Sequence, residues 1–189
     1  MAQIGLRYLR YSILDSKDEV TKMQKLAPVV EMKVTLNKAT GKLYGDDVVV
    51  ESDTQVTGYN VEVTVTDDPE KETAELLGHE YDESEKEVIK YADDEAPYAA
   101  VGGIKVKVVN GKRKYKGEFY PKVKFEPYVS DGKTMGDGIE YQTPTLQGTG
   151  SAVEMKNSKD ETKMMWSRTA TFENFELASK WLDDLLEKE

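Results

Sequence analysis

Residues 59–66, "YNVEVTVT", alternate without a break: Val61, Val63 and Val65 fall on one parity, Glu62, Thr64 and Thr66 on the other. Successive side chains of an extended strand point to opposite faces, so this run has one face to bury and one for water. A chain built on that period must place an apolar sheet face against something else. The same period recurs over 28–36 ("PVVEMKVTL"), over 43–50 ("LYGDDVVV", a turn and then a strand) and over 54–66. It returns over 97–109 and 113–125, where "NGK" separates two alternating runs. Asn110-Gly111 is a two-residue hairpin signal, because both residues accept positive φ. Residues 138–155 and 162–171 are expected to form a further pair across "KNSKDE".

Two segments break the period. Residues 69–78 start with Pro69, carry acids early and end on Gly78, the pattern of a short helix with its N- and C-terminal signals in place. Over 173–187, Phe175, Ala178, Trp181, Leu182 and Leu185 recur at helical spacing and make one apolar stripe, with Thr169 or Thr171 as the expected cap. The predicted class is therefore mainly β, a sandwich or barrel, with a short acidic helix and a C-terminal amphipathic helix, in a single domain over 1–189. Residues 38–57 form an extended excursion between strands.

Composition narrows the function classes. The chain has no cysteine, which removes disulfides, zinc–thiolate sites and thiol catalysis. Its net charge is −10, which opposes general nucleic-acid and anionic-membrane binding. The first fifteen residues hold no apolar run of signal-peptide length, and no segment approaches a membrane span, so a cytosolic start is expected. The charge is uneven. From 44 to 96 there are 18 Asp plus Glu against 3 Lys; from 104 to 124 there are 8 Lys plus Arg against one Glu. Two solvated faces would explain this, and so would copies of the chain meeting through opposite charges, with Lys112, Arg113 and Lys114 on the basic side.

Reactive chemistry is sparse. His79, the single histidine, stands beside Glu80 and Asp82 without a serine or cysteine partner, which suits a structural or exposed histidine better than a base. The pairs Asp46-Asp47, Asp67-Asp68 and Asp93-Asp94 lack the separation of a glycosidase and the spacing of a calcium loop. Asp131, Asp137 and Glu140 come nearer to a calcium loop but read better as a solvated turn. "VGGIK" and "GDGIE" do not lead into helices as phosphate loops do. The aromatics Tyr115, Phe119, Tyr120, Phe125 and Tyr128 among lysines fit strand packing better than base stacking. The expectation is no catalytic residue, no cofactor and no metal.

The order of "LYGDD", "LLGHEYD", "APYAAVGG", the hairpin "GKRKYKGEFYPKVKF" and "IEYQTPTLQGT" resembles the major tail (tube) proteins of long-tailed bacteriophages of Gram-positive bacteria, over nearly the whole chain. That resemblance implies a structural virion protein, present in host cytoplasm during assembly. Its copies would close into hexameric rings and stack into a tube around the tape measure protein, meeting distal tail and tail terminator proteins at the ends. DNA would pass through without specific binding. It also implies that the excursion, with Leu43, Tyr44, Asp46 and Asp47, reaches a neighbouring ring. Glu62, Asp67 and Asp68 are candidates for an acidic wall facing the DNA. A phage-derived injection device would share these features. A carbohydrate-binding or calcium-dependent β-sandwich, which would need exposed Trp and Tyr platforms, is the alternative of another class, and an acidic hydrolase using carboxylates near His79 is a further one.

Overall fold

The structure is a computed structural model and describes residues 2–45, 48–66, 69–127, 143–156 and 159–187. It is mainly β. Strands β1 (Ala2–Leu14) and β2 (Val20–Lys25) open the chain, followed by two long strands, β3 (Val29–Gly45) and β4 (Val48–Val65). Helix α1 (Glu70–Leu77) leads to a small ribbon, β5 (Glu80–Asp82) with β6 (Glu87–Ile89). The hairpin β7 (Tyr98–Val109) and β8 (Lys112–Glu126) comes next. Then come β9 (Thr145–Gly150), β10 (Val153–Lys156), β11 (Thr162–Met165) and β12 (Arg168–Phe172), and the chain closes with α2 (Phe175–Leu186).

Eight of the strands form one antiparallel sheet in the order β2-β1-β7-β8-β9-β4-β3, with β12 joined to β8. Away from β7, the first part of β8 pairs with β12 and the last part with β9. β1 and β3, near opposite ends of this path, come together across the interior. The sandwich or barrel expected from sequence thus takes the form of one sheet rolled on itself.

Two cores result, one on each face. Inside the roll, Val61, Val63 and Val65 are fully buried, as their parity requires, beside Tyr11, Tyr59, Val123, Phe125 and Leu146. α1 adds Leu76 and Leu77 to this interior. On the other face, α2 lays Ala178, Leu182 and Leu186 over Leu14, Ala100, Ile104 and Phe119. Glycines let the helix come close: a Cβ on Gly102 would run into Leu182, and one on Gly117 into Trp181.

The local signals explain most element ends. Asn110 and Gly111 have φ of 51° and 74°, and Val109 pairs with Lys112, a tight hairpin turn with both residues left-handed. Gly78 ends α1 at φ 75°. Pro69 occupies the cap of α1 rather than its first turn, and Glu70 and Glu72 stand at the positive end of the helix dipole. For α2 the cap is Asn174, whose Oδ1 accepts the Leu177 N–H at 2.9 Å; Thr169 and Thr171 belong to β12. The pair expected between 138–155 and 162–171 divides. β10 and β11 pair with each other, whereas β9 and β12 join the large sheet, and 138–142 falls outside the described residues.

Trp181 is only half-buried, so its removal costs less than a fully enclosed tryptophan would. The dominant residue of the stripe is Leu182, at 0% exposure. We expect Leu182→Ala to lose about 2–5 kcal/mol and Trp181→Ala less, because only the first leaves a closed cavity. Urea denaturation of both variants checks the order; equal losses would show that the contact of α2 with the sheet is centred elsewhere.

Candidate assembly surface

The most unusual feature is the outer half of β3 and β4. Their pairing runs from Val29–Val65 out to Gly45–Val48, but β9 covers β4 only from Tyr59 to Thr64. Beyond that point the two strands pair with each other and, among the described residues, with nothing else. The result is a bare two-stranded arm about 25 Å long at ~3.3 Å per residue. Within the extended excursion expected over 38–57, the described residues 38–45 and 48–57 are paired strands, with bulges after Asn37 and Leu43. At its end Leu43, Tyr44, Val48 and Val50 are 60%, 62%, 66% and 67% exposed. Asp46 and Asp47 lie outside the described residues. A lone two-stranded ribbon is marginal in water. This one also ends in four exposed large apolar side chains.

The basic hairpin presents much less charge than its composition suggests. Lys105 and Lys116 converge on Glu118 at 2.7 Å and 2.6 Å. Lys122 pairs with Asp18 at 2.6 Å and Lys124 with Glu95 at 3.2 Å. Lys114 pairs with Glu173 at 2.9 Å, and that hydrogen bond holds the Glu173 carboxyl below its ordinary pKa. Lys112 and Arg113 stand exposed at the turn and form no ion pair with a described residue. The acidic block is likewise partly used within the chain. Glu62 faces outward, opposite Lys33, and pairs with it at 3.3 Å. Asp67 and Asp68 lie outside the described residues. Glu75 accepts hydrogen bonds from the Tyr11 hydroxyl at 2.8 Å and from the Gln24 amide at 2.7 Å.

His79 follows α1 and places Nδ1 2.6 Å from the Asp94 carboxylate, with both side chains largely buried. The Tyr91 N–H donates to the same oxygen at 2.8 Å; this bond first, and His79 second, hold the Asp94 carboxyl below the usual range. The pair ties the segment after α1 to the 91–94 turn. Beside it is an open cleft of about 620 Å³ between α1 and the β5–β6 ribbon, lined by Glu70, Leu77, Glu87, Val88 and Lys90. Among the described residues no group of three His, Asp or Glu side chains is placed to hold a metal ion. Asp131, Asp137 and Glu140 lie outside them.

The apolar tip of the arm is legible in the residue types of 43–50, but its charged shaft is not. Lys38 and Lys42 fall on one parity of β3, and Glu51 and Asp53 on one parity of β4. The period was readable; the pairing that sets the two parities on opposite faces was not. Set against the known protein families and the curated proteins, the sequence has no match.

Proposed function

We propose that this chain is a structural subunit that assembles with copies of itself, of the kind that builds the tail tube of long-tailed bacteriophages. In this reading its rings, six subunits each, stack into a tube around a tape measure protein, and DNA leaves through the bore. The observation that carries the reading is the bare arm. It exposes both faces of a two-stranded ribbon and an apolar tip, and a second copy is the partner always present at matching concentration. The rolled sheet supports it in a second way. β2 and β3, at the two ends of the strand path, each have one unpaired edge among the described residues. Unpaired edges are where a sheet continues from one subunit into the next, and a head-to-tail contact repeated by rotation closes a ring. The net charge of −10 suits a conduit along which DNA phosphates slide without sticking.

Electron microscopy of the concentrated protein tests this directly, with sedimentation across a range of concentrations. Rings or tubes of uniform diameter are the expected result. A chain that sediments as a monomer at every concentration, with no ordered assembly on the grid, overturns the reading.

A further inference from the structure

The two faces of the arm carry opposite charge. Paired residues of an antiparallel ribbon share a face, so the register Lys38–Val56, Thr40–Thr54 and Lys42–Ser52 defines one face. Ala39–Gln55, Gly41–Asp53 and Leu43–Glu51 define the other. The 3.3 Å contact between the Thr40 and Thr54 hydroxyls fits this assignment. The first face holds Lys38 and Lys42 and no acid; the second holds Asp53 and Glu51 and no base. All four side chains are exposed, and none forms an ion pair with another described residue. Asp53 accepts the Thr54 N–H at 2.8 Å and keeps its charge exposed. Charges sorted in this way, with no counter-charge on their own chain among the described residues, are complementary to the opposite face of an identical ribbon.

Gly41 shapes the acidic face. It lies mid-strand, where glycine weakens the ladder. Its φ is not positive, and a Cβ built on it would meet nothing within 4 Å. Neither the backbone nor the packing of its own chain asks for a glycine there. A glycine inside a strand marks a bulge, a bend or a close approach of another backbone; Gly41 lies two residues from the bulge after Leu43 and leaves the surface above it open. Ala39 and Gly41 put no bulky side chain on the β3 side of the acidic face, so a lysine stem can lie along it.

We infer that the arm stacks in register on the arm of a second copy, basic face on acidic face. In such a stack, Lys42 of one copy is level with Ser52, which places it between the levels of Asp53 and Glu51 on the next. The two faces of one arm differ, so each contact leaves a free face at either end of the stack, and the contact propagates instead of stopping at a dimer. This rests on the self-assembly proposed above and names the surface through which it runs.

Charge reversal tests it. K38E/K42E makes both faces acidic, and E51K/D53K makes both basic. Each variant is expected to fold and to need at least about tenfold more protein to assemble than wild type, because like charges now face each other. The fourfold variant K38E/K42E/E51K/D53K, whose faces are again opposite, is expected to assemble near the wild-type concentration. An equimolar mixture of the two double variants is expected to co-assemble where neither does alone. The inference is overturned if the double variants assemble like wild type. It is equally overturned if the fourfold variant is as defective as they are, since the faces would then meet some other surface, such as the acidic β5–β6 ribbon. Wild-type protein is run in parallel: its own failure to assemble removes the tube reading, and the stack with it.

Discussion

A chain in which residues 39–55 are replaced by Asn-Gly is expected to fold normally and to lose assembly completely. Lys38 and Val56 are opposite each other in the ladder, so a two-residue turn closes the hairpin at that point without shifting its register. Among the described side chains of 39–55, none is buried, and none belongs to either core. The bulk of the fold therefore does not rest on the arm. The expected stability change is under about 1 kcal/mol, a melting shift below ~4 °C for a chain of this size. The loss of assembly is all-or-none, because the deletion takes away the apolar tip and both charged faces together. Size-exclusion chromatography and circular dichroism separate the two effects. Tubes from the shortened chain would place assembly on the sheet edges alone. An unfolded shortened chain would show that the ribbon stabilises the roll from outside.

How much of this was legible depends on where the period of two survives. It survives in β4, where three valines face the interior, and in the β7–β8 hairpin, where Asn-Gly fixes the register. It fails in β1. Leu6, Leu9, Tyr11 and Ile13 all face the interior, so the parity slips between Leu6 and Leu9. The cause is a bulge against β7, with Tyr8 held at φ 59°. A left-handed tyrosine is a strained conformation. Here Arg10 lies 3.7 Å over its ring, and its hydroxyl donates to Asp183 of α2 at 2.9 Å. No propensity points to that arrangement, so a strand of the central sheet went unread. β5 and β6 are too short and too charged to carry a period at all. Counting charge along the chain misled in a different way. Lys105, Lys116, Glu75 and Asp94 count as surface charge in composition, whereas each has a partner within the same chain that only the fold brings near.

Replacing Glu118 with alanine is expected to be among the most damaging single changes in the basic hairpin. Its neighbours Gly117 and Phe119 face α2, so Glu118 points the other way, toward the interior of the roll, with its side chain 6% exposed. There it accepts from Lys105 and Lys116, which face each other across β7 and β8, and the Tyr120 hydroxyl approaches at 3.3 Å. Burial alone pushes its carboxyl pKa up; the two lysine hydrogen bonds outweigh it and leave the pKa below the ordinary glutamate value. Alanine removes the anion and leaves two half-buried cations opposed, a loss of about 3–5 kcal/mol at neutral pH. The sign with pH follows from the depressed value. The contribution of Glu118 is complete above the unfolded carboxyl pKa of about 4.3 and fades as pH falls through the lower folded value. The gap between wild type and Glu118→Ala should thus be widest at neutral pH and narrow below about pH 4. Replacing the triad together, with Glu118→Leu, Lys105→Met and Lys116→Met, should recover most of the loss, because no charge is then left unpaired. Urea denaturation at neutral and acid pH decides the matter. A gap that stays the same at both would mean that Glu118 serves as packing volume and not as the counter-charge of two lysines.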